Sequence, residues 1–341
     1  MTSTQENIVF TVFKGSKAGD IIQSETIRAP LAFDQVHVAI TASGLCGGDL
    51  LFKGNDMVLG HEGVGIVSAI GTGVTRLQKG DRVGWGFLQD TCGNCIQCLD
   101  GGEVFCPERK MYGRADFDQG SLAYGIVKKE SRLFKIPNEI SDEEAAPLMC
   151  AGATVFSALS SVKATDRVGV IGVGGLGHLA IQFASRMGCD VVAFTNSETK
   201  SSDALSFGAN ACYTIQNLRE TKIGRGLDMV LVTAPAQPDW SLYIPLLAPR
   251  AIIFPLTIGP GNIALPAMPV LLNGVTIQGS AAASRKVHLR MLAFAAQHGV
   301  KPMIQRFSMD KEGIEEAFIA LKEGKMRYRG VLVVPIEKRL A

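Results

Sequence analysis

RVGVIGVGGLGHLAIQFASRMGCDVVAF, residues 167–194, reads as one complete folding unit. RVGVI is a short apolar strand, Gly172-Val173-Gly174-Gly175-Leu176-Gly177 a glycine turn, HLAIQFASRMG an amphipathic helix and CDVVAF a second strand. Glycines in this spacing are weak evidence alone, because any tight turn can use them. Here the strand before and the helix after supply the confirming context. The glycines permit the turn and let backbone N–H groups approach a pyrophosphate, which the helix N-terminus then stabilises. A purely structural glycine turn is the alternative. The loop predicts dinucleotide contacts at Gly172, Gly174, Gly175, Leu176 and Gly177.

Working outward, DALSFGANACYTI (203–215), LDMVLVTAP (227–235), PRAIIFPL (249–256) and NGVTIQGS (273–280) continue the alternation of strand and helix. That pattern predicts an α/β, doubly wound parallel sheet with helices on both faces. Residues 1–150 have another texture. NIVFTVFKG, QVHVAITASG, GVGIVSAIG and DRVGWGF are short β-type runs separated by Gly and Asp, which predicts a compact β-rich unit. HLRMLAFAAQHG and GIEEAFIALKEGK read as helices and YRGVLVVPI as a closing strand. The expected organisation is a β-rich domain from 1–151 and 283–341, with a dinucleotide-binding domain of 152–282 inserted between them.

The chain has 341 residues, enough for two domains with separate cores. Its formal net charge of +2, without a Lys/Arg stripe, argues against a nucleic-acid partner. MTSTQENIVF lacks the basic and apolar segments of a secretory signal, and no apolar run is long enough to span a bilayer. A cytoplasmic, membrane-free protein is expected. Its 38 glycines are dispersed, as in a fold with many tight turns, rather than clustered as in a linker.

Four of the eight cysteines crowd into Cys92-Gly-Asn-Cys95-Ile-Gln-Cys98 and Cys106. Four soft thiolates at this spacing can close a tetrahedron around Zn²⁺ and leave no open position, as in a structural site. Disulfides, or unrelated buried cysteines, are the alternatives; a reducing compartment disfavours the first. Cys46, His61 with Glu62, and Cys150 are scattered, and singly each reads as a core residue. Together they would make a Cys₂His set with an open fourth position.

Gly60-His61-Glu62 followed by Gly65, Gly71 and Val74 resembles the signature of the zinc-containing alcohol dehydrogenases of the medium-chain dehydrogenase/reductase superfamily. The resemblance extends over GLCGGDL, GHEGVGIVSAIGTGV, GDRVGWG, CGNCIQC, DQGSLA, AAPLMCAGATV, GVGGLGH and KMRYRGVLVV in the family's order, and looks nearest to the cinnamyl-alcohol-dehydrogenase-like and yeast-type microbial branch. It implies a GroES-like catalytic domain beside a Rossmann domain, and two zinc ions per chain. Carried over by position, Cys46, His61 and Cys150 match the catalytic ligands and Glu62 a carboxylate that can approach the metal. Asp49 matches the acid that orients the ligand histidine, and Thr154 the threonine against the nicotinamide. A homodimer is expected by the same analogy.

Two departures stand out. Cys46-Gly47-Gly48-Asp49 has glycine where the family carries the hydroxyl of its proton relay, and Leu51 stands where many members have a relay histidine. The fifteen positions from Cys46 to His61 are several fewer than usual, so the loop LLFKGNDMV is short. At the end of the second strand of the nucleotide fold, Thr195 replaces the usual ribose-binding acid and is followed by Asn196, Ser197 and Lys200. These donors suit a 2′-phosphate and predict NADP(H); a polar turn tolerant of either cofactor is the alternative. Thr233 and Ser280 are further candidate cofactor contacts. Trp85, Phe87 and Tyr112 are weak candidates for lining a cleft. The expected activity is hydride transfer to an aldehyde, iminium or conjugated carbonyl. An ordinary zinc alcohol dehydrogenase for primary or aromatic alcohols comes second, and a non-catalytic binding protein on the same fold third.

Overall fold

The structure, a computed structural model, describes residues 6–219, 222–257 and 262–339. The opening five residues of MTSTQENIVF lie outside the described ones. The chain divides into two compact units: Met1–Cys150 with Ala282–Ala296 and Lys301–Ala341, and Ala151–Ala281 with Gln297–Val300.

The second unit holds a six-stranded, wholly parallel sheet. Its order is Ala211–Thr214, Asp190–Thr195, Arg167–Ile171, Leu227–Val232, Leu247–Pro255 and Thr276–Ile277. Numbered along the chain this is 3-2-1-4-5-6, the doubly wound order. Arg167–Ile171 is buried at every position, as a central strand covered on both faces requires. Val192, Phe194, Val230, Val232, Trp240 and Tyr243 form much of the core.

The first unit is built on a seven-stranded sheet. Its path runs Ile304–Ser308, Arg329–Val333, Gln35–Leu45, Glu62–Ile70, Arg82–Trp85 and Phe134–Lys135, with Gly125–Lys129 also pairing with Gln35–Leu45. The late strand Arg329–Val333 pairs with Gln35–Leu45, setting Gly330 opposite Leu45, so the chain's last section completes the sheet begun near its start. Gln35–Leu45 alternates in burial over its first half and is wholly buried in its second, where it leads to Cys46. Val38, Ile40, Val67, Val83, Leu122, Phe318 and Leu332 form its core. No helix among the described residues is long and apolar enough to cross a membrane.

Candidate functional site

Three pieces of the first unit converge. Cys46 follows the long strand and caps a 3₁₀ turn, Gly47–Leu51. His61 precedes strand Glu62–Ile70, after Gly60, whose φ of +88° only glycine adopts without strain. Cys150 lies in a π turn, Leu148–Gly152, that continues the helix Asp142–Pro147. The donor atoms of Cys46, His61, Glu62 and Cys150 all lie within 4.8 Å of one another.

Asp49 organises the cluster. It is fully buried; one carboxylate oxygen accepts from the Cys46 N–H at 2.9 Å and the other faces His61 Nδ1 at 2.9 Å. With Nδ1–H donating to this carboxylate, His61 Nε2 is the ring atom turned to the sulfurs, 3.3 Å from Cys150 Sγ. Burial alone would lower the His61 pKa, but the Asp49 charge and hydrogen bond outweigh it and hold the imidazole well above its ordinary value. Cys46 and Cys150 split: their mutual hydrogen bond pulls the first thiol well down and pushes the second well up. Burial pushes the Glu62 carboxyl up to about 7 against the pull of Arg329, whose Nη2 donates to both of its oxygens.

The donor set suits Zn²⁺. Metal distances of about 2.3 Å to sulfur and about 2.0 Å to nitrogen in a tetrahedron put S and N roughly 3.5 Å apart, close to the 3.3 Å between Cys150 and His61. A Cβ at Gly48 would meet only His61 Cε1 at 3.7 Å and Cys46 Sγ at 3.8 Å, ordinary contacts, so the position has room for the first atom of a side chain. Leu51 is 55% exposed and apolar, so it offers no relay.

The second cluster is Cys92, Cys95, Cys98 and Cys106. A tetrahedral Zn–S distance of about 2.3 Å sets sulfurs about 3.8 Å apart. The separations here are 3.5 Å for Cys106–Cys92, 3.6 Å for Cys95–Cys98 and 4.0 Å for Cys92–Cys98. The N–H groups of Asn94 and Cys95 pull the Cys92 thiol to about 7. Ile96, Leu99 and Phe105 on the same loop face solvent, so the lobe has little apolar core of its own. Buried Glu103 ties it to the body through Arg132 Nη1 at 3.1 Å and the Arg285 N–H at 2.9 Å.

In the second unit each glycine has its own reason. Gly172 takes φ +97°; a Cβ at Gly174 would meet nothing within 4 Å; a Cβ at Gly177 would collide with the Gly172 carbonyl. These are a tight turn, an open approach and a close helix–strand contact. The helix Gly177–Arg186 begins at Leu176, beside Gly175 in the turn, without a side-chain cap, although the His178 N–H already donates to the Gly174 carbonyl at 3.1 Å.

Other expected contacts are refined. Thr195 is buried, and its hydroxyl accepts from the Ser197 N–H at 3.2 Å, so it shapes the turn. Asn196 and Lys200 face solvent, Ser197 is half-buried, and Glu198, also exposed, opens the following helix. Thr233 serves the glycine loop: its hydroxyl donates to the carbonyls of Ile171 and Gly172, at 3.0 and 2.7 Å. Thr154 is buried in helix Ala153–Ala158, and Ser280 is half-buried beyond strand Thr276–Ile277. Trp85 and Tyr112 are buried core residues, not cleft walls. Arg329 was not singled out by motif reading, although it sits in KMRYRGVLVV; its signal was a lone cation entering an apolar strand.

Comparison with known proteins agrees with this geometry. Residues 33–138 match the alcohol dehydrogenase GroES-like domain, and residues 175–297 match the zinc-binding dehydrogenase family. An aldehyde reductase from Synechocystis sp. is 35% identical over 314 residues, covering 89% of this chain and 92% of the relative. An NADP-dependent alcohol dehydrogenase C from Mycolicibacterium smegmatis is 34% identical, covering 89% of each. Among solved structures, a cinnamyl alcohol dehydrogenase from Sorghum bicolor superposes with a TM-score of 0.89 at 27% identity, over 96% of this chain and 98% of that one. The chain therefore belongs to the zinc-containing alcohol dehydrogenases of the medium-chain dehydrogenase/reductase superfamily, with a GroES-like domain and a Rossmann-type sheet, and is an oxidoreductase of the alcohol dehydrogenase type.

Proposed function

We propose that the protein is a zinc-dependent, NADP(H)-linked reductase whose preferred substrates are iminiums or conjugated carbonyls, with simple aldehydes turned over less well. The observation that carries this reading is Gly48: the donor set of Cys46, His61 and Cys150 is assembled, yet the adjoining position offers a gap in place of a hydroxyl. Those three side chains would hold the zinc, with Glu62 kept back by Arg329. When bound, the metal would supply Lewis acidity that polarises a substrate oxygen. Asp49 fixes the His61 tautomer, and the glycine loop with the Leu176 helix start would seat the pyrophosphate. NADP(H) is supported by the missing strand-end acid and by the Mycolicibacterium relative, which is described as NADP-dependent.

When bound, the reduced nicotinamide would supply the hydride in each case. A carbonyl then needs a proton on oxygen, a conjugated carbonyl takes hydride at the β-carbon and a proton at the α-carbon, and an iminium needs no proton. Comparing turnover of the three classes tests the proposal. The second reading, an ordinary alcohol or aldehyde enzyme, draws on the Synechocystis aldehyde reductase. A cytoplasmic homodimer completes the reading. The sheet edge at Thr276–Ile277 is exposed, and helix Ala267–Asn273 turns Met268, Leu271 and Leu272 to solvent, which suits pairing with a second copy.

A further inference from the structure

The two ends of the four-cysteine lobe meet on the catalytic-site histidine. Strands Leu88–Asp90 and Lys110–Met111 pair antiparallel and close the base of the loop carrying Cys92, Cys95, Cys98 and Cys106. Phe87 stands just before the first strand and Tyr112 just after the second; the Tyr112 N–H donates to the Phe87 carbonyl at 3.0 Å. Both rings lie on His61. Phe87 meets the imidazole edge-on with centroids 5.3 Å apart, and Tyr112 lies across it at 4.8 Å and 34°. The two aromatic rings also touch each other, at 6.0 Å.

Tyr112 is 1% exposed, and its hydroxyl is not idle. It accepts from the N–H of Gly60, the residue preceding His61, at 2.9 Å. A phenylalanine would fill the same space without the cost of desolvating a hydroxyl. The oxygen is therefore placed for the Gly60 N–H, which holds the chain where His61 begins.

We propose that Tyr112, seconded by Phe87, is a positioning residue through which the four-cysteine lobe clamps His61, so that order in the lobe sets the affinity of the second metal site. The proposal rests on the reading of Cys46, His61 and Cys150 as a zinc site. Binding free energies linked in this way are reciprocal, so a metal in either site tightens the other.

The test uses full-length protein loaded with zinc, with release followed by a chromophoric chelator, and the visible spectrum of cobalt-substituted protein. Cys150→Ser identifies the release phase that belongs to the His61 site. Tyr112→Phe keeps the ring and removes the hydroxyl. It should speed that phase by roughly tenfold to a hundredfold, the usual effect of losing an outer partner of a ligand, and should shift the cobalt bands. Phe87→Leu leaves every side-chain hydrogen bond in place and should act in the same direction, so the test survives if Tyr112→Phe folds poorly. Val67→Ala, a core truncation in the same unit, should leave the phase unchanged and controls for general loosening. Wild-type release rates and cobalt spectra in both aromatic variants would overturn the clamp. Equal zinc content in wild type and Cys150→Ser would instead overturn the metal-site reading, and the clamp with it.

Discussion

Arg329 and Glu62, 267 positions apart in the chain, form a buried ion pair in which one guanidinium nitrogen donates to both carboxylate oxygens. They lie on strands flanking Gln35–Leu45, and the path between them crosses it at Gly44, which sits opposite Glu62. A Cβ at Gly44 would collide with that carboxylate, so the missing side chain is what lets the pair form. Removing one partner of such a pair strands a buried charge. Arg329→Met should therefore destabilise the fold by about 3–5 kcal/mol, read by urea denaturation, and adding Glu62→Gln should restore part of the loss. A single variant within experimental error of wild type would show the pair to be dispensable.

Zinc content is the next expectation. Freshly purified protein should carry two zinc ions per chain, one at each cluster. Cys98→Ser should chiefly lower the unfolding midpoint, because a structural zinc supplies folding free energy to a lobe with little core. Cys150→Ser should chiefly lower turnover. Elemental analysis finding a single zinc in wild type would contradict the assignment.

The cofactor preference is tested at the strand end. NADPH should bind more tightly than NADH, and Thr195→Asp should weaken NADPH by setting like charges together while helping NADH. Because Thr195 also accepts from the Ser197 N–H, a carboxylate there keeps an acceptor for that turn. Fluorescence titration of both cofactors decides it; equal affinities in wild type would mean that Asn196, Ser197 and Lys200 do not read the 2′-phosphate.

Association can be checked by light scattering. Wild type should run as a dimer, and Leu271→Asp with Leu272→Asp, on a helix face that is 72% and 77% exposed at these positions, should give monomers of unchanged secondary structure. A dimer that survives both charges would place the contact elsewhere.

Local signals in the sequence were strong where chemistry and neighbours coincide. The glycine loop needed only its flanking strand and helix, and the four cysteines needed only the fifteen residues from Cys92 to Cys106. The cluster of Cys46, His61 and Cys150 was harder because its members come from three separate segments, and pattern alone cannot join Cys46 to Cys150. Resemblance supplied the grouping, and antiparallel pairing and the π turn at Cys150 supply its physical basis. For Tyr112 the sequence suggested only a place in a cleft wall; a role for its hydroxyl could not be read until its partner, the Gly60 N–H, was known. Thr233, expected at the cofactor, has a further role that motif reading did not suggest: its hydroxyl holds the glycine loop.

The last expectation concerns Gly48. Reducing a carbonyl to an alcohol requires proton delivery to oxygen, and the usual hydroxyl and histidine are here Gly48 and Leu51. Positioned acid–base help is worth typically 10²–10⁴-fold, so simple saturated aldehydes should be poor substrates beside cyclic iminiums, which need hydride alone. Conjugated aldehydes should fall between, since they are protonated at carbon. The space at Gly48 is open to a side chain, with His61 Cε1 and Cys46 Sγ at contact distance, so Gly48→Ser should fold normally and reinstate a hydroxyl at the site. It should raise turnover of saturated aldehydes by about tenfold or more while leaving iminium reduction nearly unchanged, because only the former is limited by the proton. The competing account is that water fills the gap and passes the proton equally well. Steady-state NADPH oxidation with the three matched substrate classes, in wild type and Gly48→Ser, separates the two. If wild type reduces saturated aldehydes fastest and Gly48→Ser changes nothing, water suffices and the enzyme is an ordinary alcohol and aldehyde oxidoreductase.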